Sequence, residues 1–305
     1  MVDTEMNKTY DEIYLELWEI AQRYCYFVNF RVIGVSHDER MIPMIEIGKG
    51  EKTLFCVSGI KGNEVLCVQL LMKMIKDYCN FYEKRWEINH LYNVKDLLDR
   101  IKLCVIPVIN TDGYEIYQRG FLSIRNPVLR QMLRMQDIPH KEYEGNARNT
   151  KLRENFPLIE DLFEAVEEDS CGQKYWIENE TRALINIFKE YNHAGLLYFS
   201  RSYGKIIRYE PQSKWCFTGR NRRINSHFKQ IMGYRMESEK IGNTNNYPYN
   251  KTKGDCGQYY ARFIRKTAFR IDIPIDYDKC NENDEKMLPC YETLRTIPLE
   301  FIFSI

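Results

Sequence analysis

Histidine is scarce in this chain, with five in 305 residues, and its ten cysteines include no C-x-x-C pair. That spacing argues against zinc-finger ligation. The cysteines are scattered, with Cys56 and Cys104 inside apolar runs, so they read as reduced, mostly buried thiols. No apolar run approaches the ~18 residues that a membrane span requires. Charge of one sign is missing too: 44 Lys+Arg face 43 Asp+Glu, so no global field would draw in nucleic acid or an anionic membrane. The first residues lack a basic stretch followed by an apolar core and a small-residue cleavage site, so no secretory signal is read. The expectation is a cytoplasmic, soluble protein with no nucleic-acid partner and no membrane span.

What is present is a large core-forming fraction. Hydrophobic residues make up 44% of the chain and aromatics 13%, which excludes a disordered chain and suits one domain over residues 1–305. Thr9-Tyr-Asp-Glu12 is a capping box that opens an amphipathic helix to about Arg23. Apolar runs at Phe27 to Ile33, Met44 to Ile47, Thr53 to Ser58, Ile101 to Pro107, Ala194 to Ser200 and Ala268 to Ile273 predict strands. Helical periodicity covers Glu64 to Phe81, Asn126 to Met135, Glu178 to Tyr191 and Tyr291 to Phe303. Strands separated by helices imply an α/β fold with a mixed, mostly parallel sheet and helices on both faces. In such sheets a site lies beyond the strand carboxyl ends, where Lys61, Asn110 and Arg201 fall.

Five motifs occur in order. Thr53 to Glu64 is a strand running into Lys61-Gly-Asn-Glu64. Ile106-Pro-Val-Ile-Asn-Thr-Asp-Gly-Tyr114 is a strand and turn. Asn146-Ala-Arg-Asn-Thr-Lys-Leu-Arg-Glu-Asn-Phe-Pro157 follows, then the helix start Glu178-Asn-Glu-Thr181, then Phe199-Ser-Arg-Ser-Tyr-Gly204. In order and spacing they resemble the zinc carboxypeptidase family: H-G-N-E, P-x-x-N-P-D-G, N-A-R-G-V-D-L-N-R-N-F-P, S-E-P-E-T and F-H-S-Y-G. The insertion Gly120-Phe-Leu-Ser-Ile-Arg-Asn-Pro127 and the N-A-R spacing look most like bacterial γ-D-glutamyl-L-diamino acid endopeptidases, which cut peptidoglycan stem peptides. The resemblance implies a zinc-carboxypeptidase-like (phosphorylase/hydrolase-like) fold.

It also implies roles for particular residues. The family's zinc ligands fall on Lys61, Glu64 and Arg201, so two of three histidine or glutamate positions carry permanent cations that have no lone pair to give a metal. The general-base glutamate falls on or beside Asp272, and the oxyanion-stabilising arginine on Arg148. The carboxylate-gripping Asn-Arg pair becomes Arg153-Glu154, and a substrate-contacting tyrosine corresponds to Tyr259 or Tyr260. None of His37, His90, His140, His193 and His227 falls at a motif position. Zinc is expected for the family but its ligands are not retained, so no cofactor is assigned.

The replacements look coordinated: Lys61 and Arg201 with Glu64 and Asp272 sum to zero, as would a dication with two carboxylates. A single four-membered salt-bridge cluster is therefore expected. Three functions follow from different classes: a catalytically degenerate protein that binds a peptide or peptidoglycan-derived fragment, an active hydrolase with non-standard site residues, and a structural or regulatory partner.

Overall fold

In this computed structural model, residues 8–158, 177–202, 206–209, 226, 235–238, 253–274 and 287–305 are described. Tyr203 and Gly204, which complete the Phe199 to Gly204 motif, lie outside them.

The predicted capping box forms. Thr9 and Glu12 exchange side-chain and backbone hydrogen bonds at the start of α1 (Tyr10–Arg23), which buries Ile13, Leu17 and Ile20 and exposes its acidic face. Strands β1 (Val28–Val35) and β2 (Met41–Ile47) form an antiparallel hairpin, and β3 (Lys52–Val57) runs into helix α2 (Val65–Lys84). Then come α3 (Val94–Arg100), β4 (Ile101–Ile106), α4 (Thr111–Arg119), α5 (Pro127–Arg134) and α6 (Asn179–Glu190). The chain continues through β5 (His193–Ser202), β6 (Ile206–Tyr209), β7 (Arg235–Ser238), the short helix α7 (Cys256–Tyr259) and β8 (Ala268–Pro274). The periodic C-terminal stretch is two helices, α8 (Met287–Leu294) and α9 (Ile297–Phe303), rather than one. The break lies at Arg295 and Thr296, just ahead of Pro298, which is tolerated only in a helix's first turn.

Eight strands form one sheet in the order β1-β2-β4-β3-β5-β8-β6-β7. The centre, β4-β3-β5-β8, is parallel, and antiparallel pairings occur at β1/β2, β2/β4 and β8/β6. Alternation along the central strands divides the core in two. Leu54, Cys56, Leu103, Val105, Leu197 and Phe199 join the layer of α1, α2, α8 and α9. Phe55, Val57, Cys104, Ile106, Leu196 and Tyr198 face α6 and α7. Burial on both faces explains why these strands read as continuous apolar runs.

Parallel pairing brings the carboxyl ends of β3, β5 and β8 to the same edge. Asp272 stands opposite Ser200, and Ile273 opposite Arg201. The turn after β3 needs glycine at position 62, because a Cβ there would meet the Gly113 carbonyl oxygen at 2.7 Å. This close approach locks the β3 end to the start of α4.

Candidate functional site

Glu64 is the hub of the strand-end site. It occupies the N-cap position of α2, yet its side chain does not cap the helix; it folds back toward the strand ends and is fully buried. One carboxylate oxygen, Oε2, accepts the backbone N–H of Ile60 (3.1 Å) and of Lys61 (3.2 Å). The other, Oε1, accepts the Ser200 hydroxyl (2.6 Å) and the Arg201 backbone N–H (3.2 Å). The Lys61 ammonium lies 3.4 Å from the same Oε1 and donates to the Arg201 carbonyl (3.4 Å). A carboxylate offers about four lone-pair positions, and here four hydrogen-bond donors and an ammonium share them.

Among the described residues, the four charges expected to form one cluster do not all meet. Lys61 pairs with Glu64, while Asp272 accepts from Arg270 Nε at 3.0 Å. The reason is the two-residue period of β8: Arg270 and Asp272 share a face, and the fully buried carboxylate takes the guanidinium beside it on its own strand. Arg270 extends the chain of charges to Asp255, the N-cap of α7, at 4.0 Å. Among the described contacts, Arg201 enters the Glu64 site through its backbone.

Asn110, from the second motif, staples three loops. Its Nδ2 donates to the carbonyls of Gly145 (3.0 Å) and Ile60 (3.3 Å), and its Oδ1 accepts the Gly113 N–H (2.8 Å). The Asn146–Pro157 segment is thereby fixed against the β3 turn. Arg148 at its start is partly exposed, with Nη1 3.6 Å from Glu178. Arg153 is half-buried and Glu154 exposed, on one turn of 3-10 helix. Tyr259 and Tyr260 lie in the core: Tyr259 packs near Phe156, and the Tyr260 hydroxyl meets His193 Nδ1 at 2.8 Å.

Beside this site lies a second polar network that sequence reasoning did not assemble. Asp112, at the start of α4, accepts from Ser36 Oγ (2.7 Å), Arg40 Nη1 (3.0 Å) and the Asp38 N–H (3.1 Å). Asp38 in turn accepts the backbone N–H of Arg125 and Asn126 and tethers the insertion. Next to it, His37 Nε2 lies 2.7 Å from Glu178, and Asn146 Nδ2 donates to Glu178 (2.8 Å) and Glu180 (3.3 Å). Desolvation pushes the Glu180 carboxyl up to about 7, with the charge of Asp112 acting the same way. His37 is raised: burial opposes its charge, but the Glu178 carboxylate and the Glu180 charge outweigh it. Glu178 is lowered, because contacts with His37, Asn146 and Arg148 outweigh its desolvation.

Donor atoms of His37, Glu178 and Glu180 lie within 4.8 Å of one another, the one such trio among the described residues that could approach a metal ion. The Asn146 amide already sits between the two carboxylates, its own Oδ1 held by the N–H groups of Arg148 and Thr150. The motifs had marked Asp112, Asn146, Glu178 and Glu180, and the signal for their partners was the density of polar residues in Ser36-His-Asp-Glu-Arg40.

A parallel-centred sheet with converging strand ends and an Asn-clamped loop is the scaffold of a metallocarboxypeptidase-like fold. The sequence profile described as zinc carboxypeptidase matches residues 13–295, and the chain belongs to that family. Curated relatives include human carboxypeptidase O, 24% identical over 207 residues (64% of this chain, 50% of the relative). Mouse carboxypeptidase M is 24% identical over 179 residues (55% of this chain, 35% of the relative). The chain thus spans half or less of the length of these relatives. Among solved structures, bovine thrombin-activatable fibrinolysis inhibitor in complex with tick carboxypeptidase inhibitor superposes with a TM-score of 0.68 at 15% identity, covering 98% of this chain and 97% of that one. Carboxypeptidase A from Helicoverpa armigera gives 0.60 at 14%, covering 97% and 74%. At these identities the likeness carries the fold.

Proposed function

We propose that this protein is a catalytically degenerate member of its family, which binds a peptide or peptidoglycan-derived fragment in the cleft at the strand ends without zinc-dependent hydrolysis. The observation that carries this reading is the occupancy of Glu64. Its two oxygens already accept four hydrogen bonds and face an ammonium, at the position that resembles a zinc-ligand glutamate. Lys61 and Arg201, at the other two ligand-like positions, are cations without a lone pair for a metal at neutral pH. The family's zinc therefore does not fit these residues.

What the cleft offers instead is binding. The lysine supplies a fixed positive charge where the relatives' motif holds a metal, and Arg148 and Arg153 stand on the neighbouring loop, suited to a ligand carboxylate. Glu154, in the same pair, disfavours a simple terminal carboxylate and so favours a ligand whose acidic group lies elsewhere. The insertion at 120–127 and the N-A-R spacing point to stem peptides with a γ-linked D-glutamate as the class to try first.

The test has two parts. Elemental analysis of purified protein should find less than one zinc per chain, and γ-D-glutamyl-diaminopimelate peptides should raise the melting temperature without being cleaved. One equivalent of zinc that disappears in Glu64→Gln, or turnover of the peptide, would sink the reading. Lys61→His combined with Arg201→His should create a zinc site, because Glu64 and the two strand ends then present the family's ligand set. A double variant that binds no more zinc than its parent would show that the three positions do not converge.

A further inference from the structure

Helix α5 lies in the segment from 119 to 142, next to the insertion, and is apolar on two sides. Leu133 and, in part, Leu129 point inward, packing with Ile116, Ile124, Tyr143 and Phe121. Val128, Met132 and Met135, spaced by four and three residues, form a second stripe that faces solvent, with Val128 65% and Met135 78% exposed. Exposed Leu122 precedes the helix and exposed Ile138 follows it. The inner stripe alone would anchor the helix. The outer one has no covering element among the described residues.

Charge singles out the same segment. Residues 119–142 hold five basic residues (Arg119, Arg125, Arg130, Arg134, Lys141) against two acidic ones (Asp137, Glu142), a net of +3 in a chain whose total is +1. Arg130 and Arg134, one helical turn apart, line a groove of about 430 Å³ together with Pro127, Gln131 and Met135. Arg130 is held in place by its own contacts with the carbonyls of Ile124 (2.7 Å) and Arg125 (3.1 Å). Two guanidinium groups beside a thioether and a proline match a phosphate above an acyl chain. A short apolar stripe flanked by arginines also matches a helix lying at a bilayer interface rather than crossing it.

We infer that the α5 segment docks the protein on an anionic phospholipid surface, with Val128, Met132 and Met135 against the acyl boundary and Arg130 and Arg134 on headgroup phosphates. The segment is tied through Asp38, which accepts the N–H groups of Arg125 and Asn126 and whose own N–H reaches Asp112, to the polar network at the start of α4. This inference does not depend on whether the cleft binds a peptide.

Co-sedimentation of the full chain with vesicles tests it. Vesicles of phosphatidylcholine with about a third phosphatidylglycerol should pellet the protein, and pure phosphatidylcholine should not. Raising the salt from 50 to 500 mM should weaken binding by about tenfold or more, since exposed charges are screened over a Debye length. Met132→Glu with Met135→Glu should abolish pelleting, and Arg130→Gln with Arg134→Gln should reduce it several-fold; circular dichroism melts check that both variants stay folded. Equal binding to both vesicle types, no binding to either, or an unchanged Met variant overturns the proposal. So does displacement by a soluble acidic peptide at equal charge, which would assign the face to a protein partner. The salt series on the unaltered chain stands even if a variant fails to fold.

Discussion

Two buried polar regions lie side by side in this molecule and solve the same problem differently. At the strand ends a single carboxylate, Glu64, meets an ammonium and four hydrogen-bond donors. In the neighbouring network four carboxylates, Asp38, Asp112, Glu178 and Glu180, share one buried guanidinium, Arg40, a partly exposed Arg148 and an imidazole. The first region sets the Lys61 ammonium against its one carboxylate. In the second, burial pushes the Glu180 carboxyl up to about 7 with the Asp112 charge adding to it, while His37, despite its own burial, holds its proton more tightly beside Glu178 and Glu180. A carboxylate that meets its own ammonium and four donors differs from a buried cluster in which carboxylates crowd one another.

The sharpest way to break this comparison is Glu64→Gln. It leaves Lys61 facing a neutral group and turns an acceptor into a donor against backbone N–H groups, so denaturant titration should show a loss of about 3 to 5 kcal/mol. A change below about 0.5 kcal/mol would mean that the carboxylate is solvated rather than built in.

Glu180→Gln probes the other region. Because the folded carboxyl keeps its proton up to about 7, against 4.5 ordinarily, the native state binds more protons than the unfolded chain across that window. Stability should therefore fall as pH rises from about 4.5 to 7, by up to about 3 kcal/mol from this group alone. His37, also raised, works in the same direction: its contribution is present below its ordinary value of 6.5 and is lost as pH rises through its folded value. Glu178 opposes both, because its lowered carboxyl stabilises above 4.5 and loses that contribution as pH falls. The variant should flatten the slope measured by thermal or urea unfolding between pH 5 and 7. An unchanged slope would remove Glu180 as its source.

Arg148→Ala should have the smallest effect, about 0.2 to 1 kcal/mol, since its guanidinium is 41% exposed and stands 3.6 Å from Glu178. If peptide binding in the cleft drops far more than stability does, the residue belongs to the ligand rather than to the network.

How much of this was legible beforehand follows from range. The capping box at Thr9, the apolar runs of the central strands and the glycine turn after Lys61 are local patterns, and each became the element its residues demanded. The family motifs placed Lys61, Glu64 and Arg201 at strand ends, where the structure brings Lys61 and the Arg201 backbone onto one carboxylate. The pairing of Asp272 escaped because charge counting assigns totals and not neighbours. Arg270, two residues away on the same strand face, was the nearer cation.

By itself the sequence determined the alternation of strands and helices, the family scaffold, and the presence of fixed cations at two ligand-like positions; periodicity, spacing and residue chemistry contain all three. Only the tertiary structure decided which charges meet. Ser200 reaches Glu64 across 136 positions, and His37 reaches Glu178 across 141. Such pairs are set by sheet order and loop packing, where burial strengthens electrostatics between groups that no local pattern connects.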